Sequence, residues 1–267
     1  MNKSRLRLAS SSRRDRNMKG RSAPRREFCW AGCHGVDHIF DSWRLTPEGA
    51  AIHLEESVAV VADLHLGYEW ARGAAGDLVI AHSLDETLSQ LALVLERAKV
   101  ARLVVAGDLV ESPRPCPRTR ADVRRLREWL AGRGVSLLAL EGNHDRSLAG
   151  PLFEQSRPAY SMPMTCTIAG WTIGHGHRPI RGTRTMSGHH HPVLRVEKTS
   201  APCFLVGPGR IVLPALSANA AGCDVARARL PAEWKGRSLR CIVSTGSELL
   251  DFGTLFELRR HMRLRKA

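Results

Sequence analysis

The sequence predicts an α/β protein whose first half is a βαβαβ unit on a parallel sheet and whose second half is mostly β. Three observations carry this expectation. Short β-branched runs alternate with helical apolar periods up to about residue 141, the helical periods give way to short strands divided by Gly and Pro from Cys166 onward, and polar clusters follow the strand ends in both halves.

Ser57–Ala62 (SVAVVA) is the first β-branched run, followed after a loop by Val79–Val100, where Leu84, Leu88, Leu91 and Leu95 recur at helical spacing behind Asp77 as the expected cap. Arg102–Ala106 (RLVVA) is the second strand. Thr119–Arg133 reads as the next helix, with Thr119 and Asp122 at capping-box spacing and Val123, Leu126 and Leu130 on one face. Ser136–Glu141 (SLLALE) closes the unit. Five further strands are expected at 166–173, 193–197, 202–206, 210–213 and 240–244, and no internal repeat is visible.

A chain of 267 residues that is 43% apolar and 25% charged has the material for a sizeable core, in one large domain or two small ones. Disorder throughout is excluded on that composition, and no run approaches the roughly eighteen consecutive apolar residues of a membrane span. The net charge of +14 sits at the ends. Residues 1–27 hold ten basic and two acidic side chains, residues 259–267 five basic and none acidic, which leaves 28–258 at about +1. The expected organisation is therefore a basic, disordered arm over 1–42, one domain over 43–258 and a basic tail over 259–267. The arm reads first as a solvated tail, then as a phosphate-contacting segment and last as a targeting peptide; a start codon assigned too far upstream would look the same.

Seven cysteines, at 29, 33, 116, 166, 203, 223 and 241, are odd in number and lack paired spacing, so no disulfide framework is indicated and a reduced, cytoplasmic compartment is expected. Cys29 and Cys33, near His34 and His38, have no second cysteine pair at zinc-finger spacing.

The chemistry lies where the strands end. Asp63-Leu64-His65 follows the first strand, Gly107-Asp108 the second and Gly142-Asn143-His144-Asp145 the third; Gly174-His175-Gly176-His177 and Gly188-His189-His190-His191 come later, again beside strands. Ligands of open α/β sheets bind outside the carboxyl ends of the strands, so the first three clusters are expected to converge. Seven of the twelve histidines fall in these segments, more than scattered structural histidines would supply.

In this order the blocks DLH, GD, GNHD, GHGH and GHHH resemble those of the calcineurin-like metallophosphoesterase superfamily. VVADLHLGYE, GDLVES, LLALEGNHD and the late Leu213-Pro214-Ala215 are similar, more narrowly, to the ligase-associated DNA-damage-response endonucleases and their archaeal phosphoesterase relatives. The resemblance covers roughly residues 43–250. It departs where the family has Leu-Pro-Ala-Phe and then Gly, and this chain has Leu213-Pro214-Ala215-Leu216-Ser217. It implies an α/β/β/α sandwich of two mixed sheets flanked by helices.

It also implies two divalent ions, manganese foremost with iron or zinc as alternatives. One ion would take Asp63, His65 and His191, the other Asn143, His175 and His189, and Asp108 would bridge them. The donor chemistry agrees, because carboxylate, amide and imidazole without thiolate suit Mn, Fe or Zn and suit Cu(I) or iron–sulfur clusters poorly. Two carboxylates set −2 against +4 from the metals, a balance that draws phosphate. In the family the residue matching His144 protonates or stabilises the leaving oxygen and the following acid, here Asp145, orients its ring. His177 and His190 read as lying behind the ligands or facing solvent ahead of touching substrate, and Arg178 as a surface arginine ahead of a phosphate contact.

Three functions follow from different classes: a dimetal phosphodiesterase acting on DNA, a phosphoesterase acting on a nucleotide or other small phosphoester, and a nucleic-acid-binding module with a relic centre. Full retention of the seven ligand positions and His144 disfavours the relic. Aromatics at 5% leave little for base-stacking platforms, which disfavours sequence-specific single-strand reading. The resemblance further implies a helicase or ligase partner in repair, and no membrane association is expected.

Overall fold

Regular structure begins with three short antiparallel strands, β1 (His38–Phe40), β2 (Trp43–Leu45) and β3 (Ala51–His53), which lead into β4 (Val58–Val61). A computed structural model describes residues 38–145, 162–227, 229–234 and 238–264. Beyond β4 come α1 (Tyr68–Ala74), α2 (Ser83–Arg97), β5 (Arg102–Val105), α3 (Pro117–Ala131) and β6 (Ser136–Ala139). β4, β5 and β6 pair in parallel, so the first sheet has the order β1-β2-β3-β4-β5-β6 with an antiparallel flank on a parallel half.

The second sheet is built from β7 (Thr165–Ile168), β8 (Trp171–Gly174), β9 (Thr185–Ser187), β10 (Pro192–Val196), β11 (Thr199–Gly207), β12 (Arg210–Val212), β13 (Cys223–Asp224), β14 (Arg240–Ser244) and β15 (Leu249–Thr254). Its main path runs β13-β10-β11-β12-β9-β8-β7, with β14 on β11 and β15 on β14. β8, β9 and β12 are parallel within it. The helix α4 (Leu255–Leu264) closes the described chain.

Strand alternation divides the apolar residues into three layers. Ala59 and Val61 of β4 pack with Leu84, Leu91 and Val94 of α2 and Val123, Leu126 and Leu130 of α3, while Val58 and Val60 face the second sheet across Trp171, Phe204, Ile211 and Ile242. On β11, Phe204 and Val206 belong to that inter-sheet layer, and Cys203 and Leu205 join Leu255 and Leu258 of α4 on the far side. The result is the expected α/β/β/α sandwich of two mixed sheets.

Several local expectations are corrected. β1 lies upstream of the boundary expected at residue 43, and α4 runs across the one expected after residue 258, because Leu255 and Leu258 bury an apolar face within an Arg-rich sequence. The single strand expected at 166–173 is a hairpin, β7 and β8, turned at Ala169 and Gly170 with φ of 47° and 75°. Asp77 does not cap α2, which starts at Ser83; it pairs instead with Arg72. Thr119 lies inside α3, which begins with Pro117 in its first turn, and its buried hydroxyl stands where a Cβ on Gly67 would have to be, 2.2 Å away. The arm over 1–37, with Cys29, Cys33 and His34, and residues 265–267 lie outside the described residues; His38 is committed to Leu249 O at 3.1 Å. The five described cysteines carry free thiols, and among the described residues no helix is long and apolar enough to cross a membrane.

Glu69 of α1 does the capping that Asp77 does not. Its Oε1 accepts the N–H groups of His82 at 2.8 Å and Ser83 at 2.5 Å, and its Oε2 accepts the Ser83 hydroxyl at 2.7 Å. Burial alone would raise its pKa; the Ser83 hydroxyl and the N–H donors override burial and hold it near 2, against an ordinary 4.5. A depressed acid stabilises the fold above its unfolded pKa and loses that contribution as the proton returns. Stability is thus expected to fall as pH drops from about 4.5 to about 2. Glu69→Ala is expected to cost about 2 kcal/mol at neutral pH and to flatten this acid limb, both read by denaturant unfolding.

Candidate metal centre

Every motif residue stands just beyond the carboxyl end of a parallel strand. Asp63 and His65 follow β4, Asp108 follows β5, Asn143, His144 and Asp145 follow β6, His175 follows β8, and His189 and His191 follow β9. The two sheets face each other, so these ends meet at one edge. The loops after β4 and β5 are tied together by Asp63 N–H to Gly107 O, His65 N–H to Asp108 O and Leu66 N–H to Leu109 O, at 3.0–3.1 Å. The loops after β8 and β9 are tied by Gly188 N–H to His175 O at 3.0 Å.

Two donor clusters result, Asp63 with His65 and His191, and Asp108 with His175 and His189, each with ligand atoms within 4.8 Å of one another. A third grouping, His65, Asp108 and His144, joins them. Both carboxylates are buried, Asp63 at 0% exposure and Asp108 at 2%. His175 Nε2 lies 2.9 Å from Asp63 Oδ1 and 3.2 Å from Asp108 Oδ2, and His191 Nε2 lies 3.2 Å from Asp63 Oδ1.

The backbone is bent to achieve this. Asp63, His65, Asp108, His189 and His191 all have φ between 43° and 70°, a left-handed region that costs such residues of order 1–3 kcal/mol each. Strain of this kind persists where tertiary contacts fix it, and here it aims side chains from three loops, those after β4, β5 and β9, at one point. Glycines make the room. A Cβ at Gly142 would lie 2.1 Å from Asp108 Oδ1, and one at Gly188 would lie 2.4 Å from Asp63 Oδ2. Gly142→Ala is therefore expected to displace the Asp108 carboxylate, lowering stability by about 1–3 kcal/mol and weakening metal uptake, as calorimetry with Mn would show.

Electrostatics fit a cation. Burial would raise the Asp63 and Asp108 pKa values, yet the His175 ring, joined at Asp63 by His191, holds both below the usual carboxylate range. His175 itself is depressed by burial but raised further by Asp108 and Asp63, to about 9, so two carboxylates share one imidazolium. Burial and the His175 charge push His189 down to about 4, leaving it neutral with a lone pair to give. His177 is likewise lowered by burial and by His175, whose Nδ1 it meets through its own Nδ1 at 3.0 Å. His177 thus lies behind a candidate ligand, as expected, and His190 packs between the rings of His189 and Trp234. The Nε2 of His65 and the Oδ1 of Asn143 are buried without a hydrogen-bond partner, an arrangement that fits a metal and leaves costly orphans otherwise.

His144 is anchored by its N–H to Asp108 Oδ1 at 2.9 Å, and its Nδ1 contacts the carbonyl of Glu111. A carbonyl only accepts, so Nδ1 carries the proton and Nε2 is the free nitrogen. The role expected for Asp145 is corrected. Its carboxylate accepts the N–H of Val110 at 3.1 Å and of Gly142 at 2.8 Å rather than meeting the His144 ring, and burial raises its pKa to about 6 despite those donors. Asp145 therefore braces the β5 and β6 loops, and Glu111 orients His144. Glu111 was the residue that the motif blocks passed over, although GDLVES contains it. The departure at Leu216-Ser217 is accommodated. Leu216 is buried, its N–H donates to Ala62 O at 2.9 Å, and the Ser217 N–H donates to Asp63 O at 3.1 Å. Arg178 is exposed, with its guanidinium 4.0 Å from the Met164 sulfur.

Two mixed sheets between helices, with carboxylates and imidazoles gathered at their shared carboxyl edge, are consistent with a metallophosphoesterase-like fold. The chain is similar to the nuclease MPE of Pseudomonas putida, with a TM-score of 0.59 and 20% identity over 79% of this chain and 94% of that one. At that identity the likeness is one of fold. No family model matches the chain.

Proposed function

We propose that this protein is a dimetal phosphodiesterase that hydrolyses phosphodiester bonds in DNA, with manganese as the first candidate metal. The observation that carries the reading is the pair of donor clusters meeting at Asp108 and His65, each with a buried carboxylate and two imidazoles. The fold shared with a nuclease supports it. When bound, two such cations supply the charge that clamps the attacking and leaving oxygens and lowers the pKa of a water.

The chain's own residues do the rest. Asp63, His65 and His191 would hold one ion, Asn143, His175 and His189 the other, with Asp108 between them. His144, with Nδ1–H held on the Glu111 carbonyl, presents Nε2 to the leaving oxygen: the water oxygen joins phosphorus and gives up a proton, the bond to the departing alcohol breaks, and that alcohol takes a proton from Nε2 of the doubly protonated ring, which the proton lost by the water then restores. Asp145 keeps the loops that carry Asp108 and His144 in register.

The test is hydrolysis of a bis-aryl phosphodiester beside an aryl phosphomonoester, with and without Mn, followed by plasmid and single-stranded DNA. Metal-dependent diester and DNA cleavage is expected; preference for the monoester with intact DNA would favour a small-molecule phosphoesterase, the reading that the near-neutral charge of 28–258 suggests.

The basic ends supply a second expectation. If they contact a phosphate backbone, deleting residues 1–27 should weaken DNA binding and flatten its salt dependence, which is about −0.9 in log K per log salt for each phosphate neutralised on duplex and about −0.7 on single strands. Aryl diester turnover should be untouched, since the proposed ligands lie between Asp63 and His191. Equal slopes for the two forms would remove the arm from DNA binding.

A further inference from the structure

Glu111 closes the loop after β5 by an N–H donated to Leu66 O at 3.0 Å, and from there it faces two functional histidines with different atoms. Its carbonyl oxygen meets His144 Nδ1. Its Oε2 lies 2.8 Å from His65 Nδ1, an ion-pair contact that falls short of an aligned hydrogen bond. The rings of His65 and His144 stand edge to face, 5.2 Å apart.

We propose that Glu111 is the positioning residue of this centre, setting the tautomer of His65 through its carboxylate and that of His144 through its backbone. The argument is one of donors and acceptors. A neutral imidazole has one N–H and one lone pair, and a metal ligand must present the lone pair. A carboxylate beside Nδ1 places the proton there and leaves the lone pair on Nε2; both nitrogens are buried without a hydrogen bond, and Glu111 is the charged group that Nδ1 meets. Ligand histidines commonly hand their second N–H to such a group, and its removal weakens metal binding without removing a ligand. Among the described residues no backbone group hydrogen-bonds His65 Nδ1 in place of Glu111, whereas His144 depends on a carbonyl that no substitution deletes. Side-chain replacement therefore separates the two duties.

The inference rests on the dimetal reading for what His65 binds, but not for which of its nitrogens bears the proton. The test has two arms. In the metal-free wild-type protein at high pH, 15N NMR of the histidines should show His65 as the Nδ1–H tautomer, against the Nε2–H form that free imidazole side chains prefer; Nε2–H at His65 would overturn the proposal. Calorimetry with Mn should then show Glu111→Ala binding one of its two ions about 10–100-fold more weakly, with Glu111→Gln, which keeps an acceptor oxygen, recovering much of the loss. Raising Mn should restore turnover to Glu111→Ala but not to His144→Ala. Wild-type affinity at both sites in Glu111→Ala would refute the carboxylate's role. If wild-type protein takes up no Mn, the dimetal reading fails and the tautomer alone decides on Glu111. Should Glu111→Ala not fold, the Gln variant and the wild-type spectrum still decide.

Discussion

Asp108→Asn is expected to abolish turnover and to strip the protein of tightly held metal. Asp108 stands at the junction of the clusters: its Oδ2 is 3.2 Å from His175 Nε2, its Oδ1 receives the His144 N–H at 2.9 Å, and it belongs both to the cluster with His175 and His189 and to the grouping with His65 and His144. A neutral amide halves the carboxylate charge of the centre, and a single oxygen cannot serve two cations as a carboxylate does. Lewis-acid stabilisation by bound metal is worth several kcal/mol, and each 1.36 kcal/mol is tenfold in rate, so a loss of about a thousandfold or more follows. Elemental analysis and diester hydrolysis measure the two losses together. Near wild-type activity in Asp108→Asn would defeat the two-ion model.

His144→Ala is expected to keep its metals and lose the chemical step. The residue is tied to the centre by its backbone N–H on Asp108 and its ring is turned by the Glu111 carbonyl, so Nε2 is the nitrogen that would carry a proton to the leaving oxygen. General-acid assistance contributes about 10²–10⁴-fold, and most when the departing oxygen is basic. Turnover of a nitrophenyl diester should thus fall less than cleavage of DNA, whose leaving alkoxide is far more basic. Loss of one metal equivalent in His144→Ala would make His144 a ligand, as its nearness to His65 and Asp108 also allows.

The site was legible in the sequence because its chemistry is carried by residue type. Carboxylates and imidazoles after apolar strands have few uses, and the parallel order of β4, β5 and β6 brings their ends together once the fold is formed. The roles of Glu111 and Asp145 were not legible, since both depend on how loops from different strands approach. Asp145 sits beside His144 in sequence, but its oxygens face the Val110 and Gly142 N–H groups. The βαβαβ half could be read from periodicity over 15-residue helices. β1, β2 and β3 could not, because strands of three residues show no alternation, and α4 was hidden because two buried leucines among arginines make a weak apolar stripe. Glu69 as a cap was likewise out of reach, lying 13 residues from the N–H group of His82 that it accepts.

The most direct test of the centre is anomalous diffraction from crystals of the full chain grown with Mn, collected at the manganese edge. Two peaks are expected, one among Asp63, His65 and His191 and one among Asn143, His175 and His189, with the Asp108 carboxylate reaching both. A single peak, or manganese bound away from these seven residues, would contradict the account.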